Sequence, residues 1–154
     1  MNPPADDARE STGFVPEGFE PPGPPVSDRF RFEPLGPDHK ARDYEAWTSS
    51  VDFIRALPGF EESDWPHPMT PAENLSDLEK HAADFRNRTG FTYSILDGDD
   101  VIGCLYIYPS SEPGHDARIT SWVTAGRPEM DAPVRETIRS WIRNAWPFGN
   151  PSIP

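Results

Sequence analysis

The sequence predicts an α+β domain, a mixed α/β chain in which one strand and two helices lead into a three-strand meander and a closing helix. Three observations carry this. Apolar residues alternate with polar ones around Phe91–Ile95 and Ala117–Val123, the period of a half-buried strand. Thr70-Pro71-Ala72-Glu73 has the form of a capping box with proline at the first helical position, which marks a helix start. Val134, Ile138, Trp141, Ile142 and Ala145 recur at spacings of three and four, the stripe of a helix with one buried face.

In chain order, residues 1–28 are a separate, Pro-rich and acidic region, and residues 29–154 are the folding domain. The first segment buries too little apolar surface to fold alone, yet it carries Phe14, Val15 and Phe19. It reads either as a disordered leader or as an extended arm that docks these side chains on its own domain or on a second chain. Arg29–Leu35 alternates as a strand, and Pro34 confines it to an edge. A helix follows from Asp38 to Leu57, with Tyr44, Trp47, Val51, Ile54 and Leu57 on one face, stopped by Pro58-Gly59. The next loop holds Trp65 and His67, and it reads either as a cover over a site or as a loop anchored by a buried tryptophan. The helix capped by Thr70 buries Leu75, Leu78, Ala82 and Phe85 and ends at Gly90. Asp97-Gly98 then turns one strand into the next. Val101–Tyr108 is apolar on both faces and so is a central strand. After a turn over Pro109–Gly114 comes the third meander strand. The last helix starts at Asp131 as N-cap, because Pro133 deeper in a helix would clash with the preceding turn. The predicted order is β-α-α-β-β-β-α with a mostly antiparallel sheet, followed by a tail, WPFGNPSIP, with no element of its own.

Net charge excludes some partners. At −12, with a pI near 4.6, the chain lacks the clustered Lys/Arg that phosphate backbones require, so no nucleic acid is expected. No basic amphipathic helix offers a membrane surface, and the first ten residues have neither the basic nor the apolar region of a signal peptide, so a cytoplasmic protein is expected. Cys104 is the one cysteine; flanked by Gly103 and Leu105 it reads as a small buried hydrophobe. His39, His67, His81 and His115 lack ligand spacing, so no metal is expected.

A strand that passes through a short Gly/Arg turn into a helix presents unpaired N–H groups and a partial positive charge, a place for phosphate. Here that turn is Ala125-Gly126-Arg127. Together with the element order and Gly103 in the apolar run VIG, it resembles the first two-thirds of the GNAT acyltransferase fold, over about residues 29–145. The signature of that family at the turn is Gln/Arg-x-x-Gly-x-Gly/Ala. The matching residues are Arg127-Pro128-Glu129-Met130-Asp131-Ala132, of which Arg127 and Ala132 fit and Met130 replaces the central glycine.

The resemblance implies an acetyl-CoA-dependent N-acetyltransferase acting on a small-molecule or peptide amine. It implies cofactor contacts at Trp122, Val123, Thr124, Arg127, Ala132 and Arg135, and catalytic candidates at His115, Asp116 and Tyr106. His115 beside Asp116 suits a general base, since histidine titrates near neutrality; the same residues also suit a solvated turn. Tyr106 and Tyr108 share a strand face and either line a pocket or pack.

Two departures have physical consequences. Pro128 and Pro133 each remove an N–H from the turn, and Glu129 and Asp131 put negative charge where a diphosphate belongs. Each like-charge pair at about 4 Å near a surface costs roughly 1–4 kcal/mol. The resemblance also implies a later strand, a helix and two more strands, for which these residues leave no room, so an open sheet edge is expected. The arm or a second subunit is then expected to cover Trp141, Trp146 and Phe148, which suggests a homodimer. Two functions follow: an acyltransferase with a degraded turn, or a non-catalytic binding or dimerisation module on the same fold.

Overall fold

The computed structural model describes residues 13–154; the part of the arm expectation that concerns residues 1–12 lies outside the described residues. A single five-stranded sheet runs in the order β1-β2-β3-β4-β5. β1 (Arg31–Pro34), β2 (Phe91–Asp97), β3 (Asp100–Pro109) and β4 (Ala117–Val123) pair antiparallel in succession. β5 (Pro151–Ser152) joins β4 in parallel, through Ala117↔Pro151 and Arg118↔Ser152. Pro34 lies in β1, an edge strand of the sheet.

Strand alternation sends side chains to two faces, each with its own core. On one face α4 (Asp131–Ala145) lays Val134, Ile138, Trp141 and Ile142 over Tyr93, Ile95, Leu105, Ile107 and Ile119. On the other, α1 (Lys40–Thr48), α2 (Val51–Arg55) and α3 (Pro71–Asn87) bury Trp47, Ile54 and Leu78 against Leu96, Val101, Cys104 and Trp122. The strand–helix order is therefore that of a three-layer domain with the sheet in the middle.

Four expectations change. The single helix over 38–57 is a 3₁₀ turn at Pro37–His39, then α1 and α2, broken at Ser49–Ser50. Ser50 leaves helical geometry (φ −133°), and its hydroxyl accepts the N–H of Ala125 at 2.9 Å. A serine that bonds a distant backbone group no longer favours the helix ladder.

α3 has the predicted start: Glu73 N donates to Thr70 Oγ1 at 3.1 Å, and Thr70 N donates to Glu73 Oε1 at 2.8 Å. Its end differs, since Arg88, not Gly90, turns left-handed (φ 62°). That conformation is unfavourable for a side chain with a Cβ. It is supported here by the guanidinium, which donates to Phe19 O at 2.8 Å and Phe85 O at 3.1 Å and pairs with Glu20 at 3.1 Å.

The tail is not featureless, because it forms β5. The last change is at the start of α4, described with the site below.

The arm lies on the sheet face that also carries α4. Phe14 stacks on Phe148 (centroids 5.2 Å) and Phe91 (6.2 Å), and Phe19 packs on Trp146 (5.5 Å) and Phe91 (6.2 Å). Trp146 and Phe148 are thus covered by the chain's own residues. Among the described residues, Val26 is the large apolar side chain left exposed.

Candidate functional site

Two places hold the chemistry: the turn from β4 to α4, and a cavity on the α1–α3 side of the sheet. At the turn, most N–H groups already have partners. Thr124 N donates to Ile102 O (2.9 Å), Ala125 N to Ser50 Oγ (2.9 Å), Arg127 N to Thr124 O (3.0 Å) and Met130 N to Arg127 O (3.0 Å). A 3₁₀ turn at Pro128–Met130 precedes α4, and Asp131 N donates back to Pro128 O. Met130 is therefore the N-cap, and Asp131 is the first helical residue with no capping hydrogen bond, contrary to the expected role. Pro133 falls in the first turn, where its missing N–H costs nothing.

The cations are paired within the chain as well. Arg127 pairs with Asp97 and, at 3.7 Å, with Glu129. Arg135 Nε donates to Asp131 Oδ2 at 2.9 Å, and its other nitrogens reach Pro154 O (3.0 Å) and Ser121 O (3.4 Å). Asp131 Oδ1 is buried with no hydrogen-bond partner. An anion at this helix start would meet mostly paired N–H groups, paired guanidiniums and an orphaned carboxylate oxygen. These residues do not fit a CoA diphosphate.

The cavity encloses about 380 Å³. Its walls come from α1 (Asp43), the loop before α3 (Phe60, Trp65), α3 (Asp77, His81) and β3–β4 (Tyr106, Arg118, Thr120). Phe60, Trp65 and Tyr106 form a triangle of rings with centroids 6.2–6.4 Å apart. Trp65 also packs on Trp47 (5.4 Å) and Trp122 (6.0 Å), so the loop is both anchored by a tryptophan and a wall of the cavity. His67 stays exposed, its Nδ1 near Pro68 O at 3.1 Å. A second hollow of about 500 Å³ shares Gly59, Ser63 and Arg118 with the first, and Glu61, Glu62 and Glu112 line it.

The cavity's polar groups are tuned by burial. Burial pushes the Asp43 carboxyl above its ordinary value, opposed by the amide of Asn74, which donates to it at 3.2 Å, and by the Cys104 thiol at 3.7 Å. Asn74 in turn accepts from the Trp47 indole at 3.1 Å. Burial also pushes the Cys104 thiol and the Tyr106 phenol well up, so both keep their protons. Burial pulls the His81 imidazole below its ordinary value, with Lys80 acting the same way, so it is neutral at pH 7. His81 Nδ1 lies 2.7 Å from Tyr108 Oη and 3.0 Å from Thr92 Oγ1, and Tyr108 donates to Asp84 at 2.9 Å. Burial alone would raise Asp84, but hydrogen bonds from Lys80, Tyr108 and Thr89 outweigh it and hold that carboxyl below its ordinary value.

The candidates from sequence separate into four places. Tyr106 lines the cavity and accepts from the Trp122 indole at 2.9 Å. His115 and Asp116 instead hold the tail. Asp116 accepts from Gly149 N (2.7 Å) and Asn150 N (3.0 Å), and His115 Nδ1 lies 3.2 Å from Asn150 O. Trp122 and Val123 are fully buried on opposite faces of β4. Thr124, Arg127, Ala132 and Arg135 belong to the self-paired turn. Sequence reasoning missed Asp43, Asn74, Asp77, His81 and Asp84. The signal was present, since Asn74, Asp77, His81 and Asp84 recur at helical spacing along α3.

Asp116→Ala is expected to detach β5 at a cost of about 1–2 kcal/mol, since two charge-assisted hydrogen bonds are lost. Amide exchange at 149–152 should rise while β2 and β3 stay protected; unchanged protection of the tail would refute the anchoring role.

No family model matches the chain, and no curated protein matches it by sequence. Solved structures do match. The ribosomal-protein-S5-alanine acetyltransferase of Vibrio fischeri aligns at TM-score 0.56 and 12% identity, over 78% of this chain and 67% of its own. RimL, a ribosomal L7/L12 α-N-protein acetyltransferase solved with coenzyme A, aligns at 0.57 and 16%, over 79% and 68%. The microcin C7 self-immunity acetyltransferase MccE, solved with acetyl-CoA and AMP, aligns at 0.54 and 13%, over 77% and 66%. The chain therefore has the fold of the GNAT acetyltransferases and spans about two thirds of the length of these proteins. At such identities the likeness defines the fold, and the site must speak for the function.

Proposed function

We propose that this is a GNAT-fold binding protein for a small organic amine, received in the 380 Å³ cavity. The single observation behind the reading is the lining: three aromatic rings beside Asp43 and Asp77, with the acidic second hollow outside. Rings and carboxylates together attract an ammonium group. Arg118, the cation in this lining, is held by Gly59 O at 3.0 Å.

The second reading is acyl transfer from acetyl-CoA to that amine. It is favoured by structural neighbours solved with coenzyme A or acetyl-CoA and opposed by the self-paired turn. Thermal midpoints separate the two. Millimolar acetyl-CoA is expected to leave the midpoint unchanged, whereas an amine that fits should raise it by several degrees, because a ligand at about 100 times its dissociation constant adds about 2.7 kcal/mol. A shift with acetyl-CoA, with acetylated amine found by mass spectrometry, would replace the first reading with the second.

Asp43→Asn refines the test. A carboxyl raised by burial contributes stability below its unfolded value of 3.8 that is lost as pH rises through the folded one. At pH 7 the variant is therefore expected to be at least as stable as the wild type, yet to bind amines at least tenfold more weakly. Equal affinity would remove Asp43 from the site. A homodimer and a cytoplasmic location remain proposals beside this reading. Light scattering checks the dimer, which has little exposed apolar surface to use because the arm covers Phe148 in cis.

A further inference from the structure

We propose that His81 is the hydrogen-bond acceptor of the cavity: the Asp84–Tyr108 pair holds its proton on Nδ1 and so presents an unprotonated Nε2 to an ammonium ligand carrying at least one N–H. This rests in part on the amine reading above, but its first test does not.

The argument is one of donors and acceptors. A phenol has one proton, and Tyr108 directs it to Asp84 Oδ2 at 2.9 Å. Lys80 Nζ (3.1 Å) and Thr89 Oγ1 (3.2 Å) also donate to Asp84 and hold it ionised, so its carboxylate can only accept. Tyr108 Oη therefore faces His81 Nδ1, 2.7 Å away, with a lone pair. Two lone pairs cannot share that distance, so Nδ1 carries the hydrogen. Thr92 Oγ1, 3.0 Å from the same nitrogen, serves as a second acceptor and can turn its own hydrogen toward Tyr108 Oη at 3.5 Å. A neutral ring protonated on Nδ1 has its lone pair on Nε2. The ring lines the cavity, between Asp77 one turn back on α3 and Tyr106 on β3, 5.9 Å away between centroids.

No proton has to change hands: a bound R–NH₃⁺ keeps its three protons and donates one N–H to Nε2, while Nδ1–H stays on Tyr108. The charged and titratable groups facing the ring are Asp77, Lys80 and Asp84 on α3 and Tyr106 and Tyr108 on β3, with neutral Thr92 on β2. Burial and Lys80 keep the ring neutral and its Nε2 lone pair free, while Asp77 and Asp84 act the other way; once the ring is protonated, Nε2 can no longer accept. A quaternary ammonium fits the same rings but has no N–H to donate, so the site discriminates by N–H and not by charge alone.

The test is nitrogen NMR of the histidines, followed by binding. Wild-type protein at pH 7.5 is expected to show His81 in the Nδ1–H form, and the double variant Tyr108→Phe with Thr92→Val, which removes both acceptors, to lose that preference. An Nε2–H ring in the wild type overturns the inference whatever the cavity binds. Benzylamine and benzyltrimethylammonium then probe the ligand. Benzylamine affinity should fall about tenfold per pH unit once His81 is protonated, should exceed that of the quaternary analogue, and should become independent of pH over that range in His81→Gln. A pH profile equal in wild type and His81→Gln overturns the inference. Failure of both probes to bind the wild type, with the Nδ1–H ring observed, counts against the amine reading of the cavity and leaves the tautomer assignment standing.

Discussion

Removing residues 1–28 is expected to lower the thermal midpoint by about 10 °C. The physical reason lies in three side chains that the arm half-buries on the main core: Phe14, Val15 and Phe19. Fully burying such a side chain is worth about 1.5–3 kcal/mol, and partial burial of three of them roughly 3–4 kcal/mol together. For a domain of this size each kcal/mol moves the midpoint by about 2–4 °C. The loss exposes Phe91, Trp146 and Phe148 on one patch, and Arg88 loses its bonds to Phe19 O and Glu20. Hydrophobic dye binding should therefore rise with the fall in midpoint, and the truncated protein should self-associate. Phe14→Ala with Phe19→Ala in the full chain should reproduce most of the effect. An unchanged midpoint and no dye binding would mean that the arm is not part of the fold.

Gly103→Ala is expected to cost about 3 kcal/mol or more, among the largest losses available to a single methyl group here. A Cβ at Gly103 would lie 2.1 Å from Trp122 O and 3.2 Å from Val123 Cα, both backbone atoms of β4 that cannot rotate away. The residue sits where the β2–β3 pairing shifts register, between Ile95 and Leu96, and glycine is what such a close strand approach requires. β4 would have to move outward. That shift would disturb the Thr124 N to Ile102 O bond and the Trp122–Tyr106 hydrogen bond that holds Tyr106 in the cavity wall. Urea unfolding should show a lower midpoint with an unchanged slope, and ligand binding should weaken in parallel. Gly36→Ala is the control, since its Cβ meets nothing within 4 Å. Equal stability of the two variants would refute the steric account.

The elements were legible where local chemistry dictates them. The capping box at Thr70 and Glu73, the Asp97–Asp100 hairpin and the α4 stripe each depend on residues within a few positions of one another, and each stands as predicted except that Ala145, at the end of the stripe, is exposed. Three of the four errors share one cause, a side chain whose partner is far along the chain; the fourth, the start of α4, is a local 3₁₀ turn at Pro128–Met130 that takes the N-cap from Asp131. Ser50 breaks the helix to reach Ala125, Arg88 adopts a left-handed turn in contact with Phe19, and Asp116 gathers Gly149 and Asn150 to make β5. The candidate site divides the same way. Tyr106 was legible as a residue of an apolar central strand. His81 was set aside, because without knowing that β2 and β3 pass beneath α3, a lone histidine on a polar helix face has no visible partner.

By itself, then, the sequence determined the order of the four antiparallel strands and of the α3 and α4 helices, and that the turn after Thr124 carries two prolines and two acids, because propensity, capping and charge are local. Only the tertiary structure decided that Arg127 and Arg135 are neutralised by Asp97, Glu129 and Asp131, that Asp43, Asp77 and His81 line one cavity with three rings, and that the arm closes the core. These depend on which residues distant in the chain come within a few ångströms, and hydrogen bonds, ion pairs and pKa shifts exist only at that range.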